Sequence, residues 1–303
     1  MFISGEAMEW VTIKAPKKLC LYDIDEKATL ETYVFLSQLD RLPNDNYVKL
    51  DLSDVKKVTA AAVLYLFANV ISKQLYISNN FYSVILPKNT DVQSQFECTG
   101  LQTALKQGGT KKIERMWCDK NSNFLCGNNK NISGFLGKIR KLTGLSTLPQ
   151  NLGTALKETF LNINHHAYNG PTNLVDVTWF SYFDQGEDDK GKYITALIAD
   201  RGRGIPQTIK QTFPDFNNKR DCFCIEHAML AGVTSTLEDG RGEGSVNIQR
   251  PVELAKQGQK DSLLLLSGKG HFFLEKQKNT LPLTLKEMDY SLFGSIIEWR
   301  LYY

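Results

Sequence analysis

DRGRGIP, Asp200–Pro206, follows the apolar run YITALIA, Tyr193–Ala199. An apolar run of this length ending in a polar, glycine-rich segment reads as a strand buried in a sheet, followed by a turn. The Asp200 carboxylate then stands at the rim of that sheet rather than in open solvent. Gly202 and Gly204 reach backbone angles other residues avoid and let a ligand come close to the chain. Such a turn is common, so its neighbours must show whether it holds a ligand.

A second glycine cluster, DGRGEGSVNIQ, follows at Asp239–Gln249, where Gly240, Gly242 and Gly244 lead into a predicted helix. Backbone N–H groups at such a junction can cradle phosphates. Upstream, LGTALKETFLNINHHAY predicts a helix in which Glu158, Asn162 and His166 recur every four residues. That spacing places the three on one stripe, between apolar Leu156, Phe160 and Ile163. An Asn amide oxygen can hold Mg2+, and a Glu can take a proton from an attacking water or hydroxyl, the pairing that phosphoryl transfer requires. GEDDKGKY, Gly186–Tyr193, copies the GxxxxGK spacing but has Tyr193 where a Mg2+-binding Ser or Thr belongs. Its three consecutive acids would repel phosphates, and it predicts a polar hairpin.

The first hundred or so residues alternate strand-like and helix-like runs. WVTIKA, KLCLYDI, NYVKLDLS and FYSVILP read as extended. KATLETYVFLSQLDRL, TAAAVLYLFANVISKQL and TDVQSQFECTGLQTALKQ read as helices. Later, NLVDVTWFSYF, SLLLLSG, HFFLEK and GSIIEWRLYY predict further strands. The fold class expected is α/β, with sheets covered by helices. Between Lys106 and Lys141 the chain carries nine Lys or Arg against two acids, with Trp117, Phe124 and Phe135 interspersed. This composition suits either a solvated connector or a contact with nucleic acid or another polyanion.

At 303 residues the length suits about two domains. The net charge of +3 selects no partner by itself. No apolar run is long enough to cross a membrane and the N-terminus lacks a signal-peptide pattern, so a cytoplasmic protein without membrane contact is expected. The six cysteines are scattered, which predicts reduced thiols. Cys222, Cys224 and His227 lack a second ligand pair at zinc-finger spacing and predict no metal site.

ETFLNINHHA, DRGRGIP, GRGEG and GSIIEWRL, in this order, resemble the N-box, the two glycine boxes and the closing strand of the GHKL ATPases, the superfamily of gyrase, heat-shock chaperones, histidine kinases and MutL. The resemblance covers residues 133–303 and implies an α/β sandwich with a mixed sheet that binds ATP and Mg2+. Asp200 would accept a hydrogen bond from the adenine amino group, with Gly202 and Gly204 against the nucleotide. Asn162 would hold Mg2+ and Glu158 would be the general base. Gly240, Gly242 and Gly244 would belong to a lid over the phosphates, preceded by Thr234 and Ser235. Ser295 would sit beside the adenine pocket. Ser245 departs from the large apolar residue usual after the second glycine box. His166, Arg203 and Arg241 receive no chemical role, the arginines reading as solvated loop charges.

KLDLSDVKKVTAAAVLYLF, Lys49–Phe67, resembles the core of STAS domains, the anti-sigma-factor antagonists, over residues 8–108. The family's phosphoacceptor serine falls on Ala61, leaving Thr59 as a poor substitute. The resemblance therefore implies a docking or regulatory domain at 1–108, a basic connector at 109–132 and the ATP-binding domain at 133–303. The expected function is a Mg-ATP-dependent switch that hydrolyses ATP and controls a partner protein, and GHKL proteins often work as dimers. A protein serine/threonine kinase and a non-catalytic ATP-binding module are the alternatives.

Overall fold

The computed structural model describes residues 10–22, 25–168, 177–230, 244–255, 259–277 and 280–303. The chain divides into two compact units, Met1–Ser122 and Asn123–Tyr303.

In the first unit, β1 (Trp10–Lys14), the short β2 (Lys18–Leu19), α1 (Glu26–Asp40), β3 (Tyr47–Asp51), the short β4 (Lys57–Val58), α2 (Ala60–Tyr76) and β5 (Tyr82–Ile85) follow in order. β1, β3 and β5 form a parallel sheet in that order. Parallel neighbours need crossover connections, and α1 and α2 supply them. Asp25 caps α1 by accepting from the Ala28 amide at 3.2 Å. α2 is buried along most of its length, which is why its sequence is apolar on every side. Of its two buried amides, Asn69 donates to Asp40 at 2.7 Å and accepts from the Tyr82 hydroxyl at 2.6 Å, so burial leaves it satisfied.

The run TDVQSQFECTGLQTALKQ, expected as one helix, forms two: α3 (Thr90–Cys98) and α4 (Leu101–Leu105). Gly100 lies between them at φ +76°, a left-handed conformation that ends a helix and that glycine adopts without strain. The segment 109–132, expected as a connector, contains α5 (Thr110–Cys118) in the first unit and β6 (Phe124–Gly127) in the second.

The second unit continues with α6 (Ile132–Thr143), α7 (Leu152–Asn162), β7 (Trp179–Asp188), β8 (Gly191–Asp200), α8 (Ile205–Thr212), α9 (Asp221–Ala228), α10 (Gly244–Glu253), β9 (Ser262–Glu275) and β10 (Leu283–Tyr302). The sheet runs β6-β7-β8-β10-β9. The resemblance implied a mixed sheet, but among the described residues all four pairings are antiparallel. Two of these neighbours are hairpin pairs, and a hairpin can only join antiparallel strands. GEDDKGKY is the β7–β8 hairpin, with Asp188 paired to Gly191. SLLLLSG and HFFLEK, expected as two strands, are one strand because β10 extends far enough to pair with both.

Side chains directly paired across a sheet share a face. Phe183 pairs with Ala196, Ala196 with Trp299 and Trp299 with Leu263, so these residues mark one face together with Trp179. α6 and α7 pack on it through Phe135 and Phe160, whose rings lie 5.2 and 4.9 Å from Trp179. α10 joins them, its Ile248 carbonyl accepting from Trp299 Nε1 at 2.9 Å. The buried indole N–H is thereby satisfied, as a core tryptophan requires. Among the described residues no helix is long and apolar enough to cross a membrane.

Candidate functional site

Asp200 is the last residue of β8 and lies on the face covered by α6, α7 and α10, two pleats beyond Ala196. Three polar side chains form a row there, because Asp200 pairs with Ser295 on β10 and Ser295 pairs with Ser267 on β9. All three are buried. Asp200 Oδ1 accepts from the Gly202 amide at 2.8 Å, and the Ser295 hydroxyl also bonds the carboxylate. Burial nevertheless dominates and pushes the carboxyl from its usual 3.8 up to about 6. A buried acid at a strand end, with only part of its acceptor capacity used, is suited to take a hydrogen bond from a ligand.

Ser267 holds this rim together, and sequence reading missed it. Its hydroxyl donates to the Gly294 carbonyl at 2.9 Å, accepts from the Ile205 amide at 2.9 Å, and lies 3.0 Å from Ser295 Oγ. A serine ending the run of four leucines at 263–266 was the available signal.

The loop after Asp200 is fitted against the end of α7. A Cβ on Gly202 would overlap the Ala167 carbonyl oxygen, and the same oxygen accepts from the Arg203 amide at 2.8 Å. Gly202 is needed for this close approach. Tyr168, also missed, accepts from the Arg201 amide at 3.2 Å and donates to the Thr178 carbonyl at 2.8 Å. Arg203 differs from the expected solvated charge. It is half-buried and bonds Gln211 at 2.8 Å and the Tyr168 carbonyl at 3.2 Å, which commits it to bracing the loop.

α7 also meets the start of α10. A Cβ on Gly244 would stand 3.1 Å from Glu158 Oε2 and 3.9 Å from Asn162 Oδ1, so three sequence-predicted residues converge here. Asn247, one turn further along α10, donates to Glu158 Oε1 at 3.4 Å. The single stripe expected for Glu158, Asn162 and His166 ends at Asn162. Residues Ile163–Ala167 form a π-helical turn, whose wider winding changes the phase of His166 relative to the other two. Ser245, the departure noted in the sequence, is buried and donates to the Leu230 carbonyl at 3.0 Å, so a hydroxyl serves where an apolar contact was expected.

Gly204 sits at φ +81° and opens α8. Thr234, Ser235, Gly240, Arg241 and Gly242 lie outside the described residues. Cys222 and Cys224 are buried in α9, where burial pushes their thiols up, and the His227 ring packs 4.3 Å from Phe216. Among the described residues no group of His, Cys, Asp or Glu is arranged to hold a metal ion. In the first unit, the Thr59 hydroxyl is buried and makes no hydrogen bond among the described residues.

No family model and no curated protein matches this sequence. Inference about function therefore rests on the site itself.

Proposed function

We propose that the second unit binds Mg-ATP as a GHKL-type nucleotide switch that acts on a partner protein, with the first unit as its STAS-like docking or regulatory part. The observation that carries this reading is the meeting of three distant segments at the end of α7. Gly244 abuts Glu158 and Asn162 there, while Ala167 anchors the loop that carries Asp200. These segments are far apart in sequence, and they converge on a helix that bears an acid and an amide one turn apart, Glu158 and Asn162.

Asp200 would accept from the adenine amino group, held in place by the Gly202 amide and the Ser295 hydroxyl. The glycine at 202 keeps that loop tight against Ala167. Mg2+ commonly binds through one or two protein oxygens together with substrate phosphates and water. The exposed Asn162 amide beside Gly244 fits that requirement. The ion would supply charge neutralisation for the phosphates. Glu158 would accept the proton of the attacking nucleophile, and its bond to Asn247 orients the carboxylate. The N–H groups at the start of α10 lie beside both residues and would face phosphate oxygens.

Calorimetric titration of the full chain with Mg-ATP tests binding. Asn162→Ala is expected to weaken Mg-ATP while leaving Mg-free adenosine unchanged. Glu158→Ala is expected to retain binding and lose phosphate release. Unchanged turnover in Glu158→Ala removes the general base from the reading, and label passing from ATP to a candidate STAS protein would favour kinase chemistry.

A further inference from the structure

A second candidate site lies in the first unit, in a cleft of about 490 Å3 built around KQGGTKKIER, Lys106–Arg115. That volume lies within the range of pockets for small ligands. Its walls include Lys106, Lys111, Lys112 and Arg115 with Asn79 and Thr110, and no acidic residue lines it. Lys106, Lys111 and Arg115 are exposed, and none of them has an ion-pair partner among the described residues.

This charge arrangement works against the helix that carries it. Lys111 and Lys112 stand in the first turn of α5, which contains no acid, although the positive end of a helix dipole disfavours cations. Lys111 and Arg115 are four residues apart, a like-charge pair that also destabilises a helix. Lys112 makes the wall rigid as well as positive. It is buried, and its ammonium donates to Gln74, to the Ala104 carbonyl at 2.8 Å and to the Lys106 carbonyl at 2.9 Å. Those bonds tie the end of α4 to α5 across the glycine turn, with Gly108 further anchored to the Asn79 carbonyl at 3.0 Å. Local costs kept in a rigid, concave, uniformly positive setting are the mark of a site rather than of a solvated surface.

We propose that this cleft binds the phosphate groups of a small phosphorylated molecule, independently of the nucleotide site in the second unit. Lys106, Lys111 and Arg115 would contact phosphate oxygens, Arg115 with its planar fork. The amides that open α5 lack a side-chain cap and add donors to the same wall. The anion would relieve the repulsion among the three exposed cations.

Inorganic pyrophosphate, titrated calorimetrically into the full chain carrying Asn162→Ala, reads this site apart from the proposed nucleotide site. Saturable binding at one site is expected, weakened by about tenfold for Lys111→Ala and again for Arg115→Ala. Both positions are exposed, and circular dichroism verifies that the variants fold. Lys49→Ala, which removes an exposed lysine on β3, is expected to leave affinity unchanged. The proposal is overturned by absence of saturable binding, by affinity in the Lys111 and Arg115 variants that matches the unsubstituted cleft, or by an equal loss in Lys49→Ala. It is also overturned if a single-stranded oligonucleotide binds more tightly than pyrophosphate and loses affinity in the same two variants, which would make the cleft part of a nucleic-acid surface.

Discussion

Replacing Asp200 by Asn should stabilise the folded protein while weakening the site. Burial raises the Asp200 carboxyl from 3.8 to about 6, so the folded state favours the protonated acid. The folded chain binds more protons than the unfolded chain between those two values, and stability falls as pH rises through them. It is greatest below 3.8 and levels off above 6. At about 1.4 kcal/mol per pH unit, the carboxylate costs about 3 kcal/mol at pH 8 relative to an unperturbed acid. Asn does not titrate, and its carbonyl oxygen can still accept from the Gly202 amide. The stability advantage of Asp200→Asn over the natural chain should therefore widen by about 1.4 kcal/mol between pH 5 and pH 8. Urea unfolding of both proteins at several pH values measures the gap. Asp261, whose carboxyl burial also raises to about 6, titrates in both proteins and cancels. A gap that stays constant, or narrows as pH rises, would refute the desolvated state of Asp200. Calorimetry on the same pair should show adenosine binding weakened by about 1.5–3 kcal/mol, the worth of a hydrogen bond to a charged group.

Adenosine affinity of the natural chain should rise about tenfold from pH 5 to pH 7, following ionisation of the Asp200 carboxyl at about 6; adenosine avoids the titration of a phosphate, and a flat profile would place the ligand elsewhere. Ser267→Ala should cost about 2 kcal/mol in urea unfolding, because the Ile205 amide and Gly294 carbonyl lose their shared partner; a loss under about 0.5 kcal/mol would mean both groups find other partners. Gly294→Ala should cost about 3 kcal/mol or more, since φ is +82° and the new Cβ overlaps the Asp200 carbonyl. Gly137→Ala, in the exposed middle of α6 with nothing within 4 Å, should instead gain about 0.5–1 kcal/mol.

Most elements were legible because their signals are local. The apolar run at 193–199 needs only its own pattern to read as a buried strand, and the enclosed α2 announces itself by lacking a polar side. The sequence also singled out Asp200, Glu158, Asn162 and Gly244 by residue type and spacing, and the fold brings the last three together. What the sequence left open concerns groups that meet only after folding. The antiparallel order β6-β7-β8-β10-β9 depends on which strands pair, and no strand carries that information alone. Ser267 gains its role from a register that puts it two strands away from Asp200, and Tyr168 from a loop that folds back over it. The π-helical turn at Ile163–Ala167 overrides a four-residue spacing that reads as regular helix. The basic stretch near Lys111 read first as a solvated connector and only second as a polyanion contact, because charge composition does not distinguish a solvated surface from a cleft. The packing of α4 against α5 determines which of those charges share one concave wall.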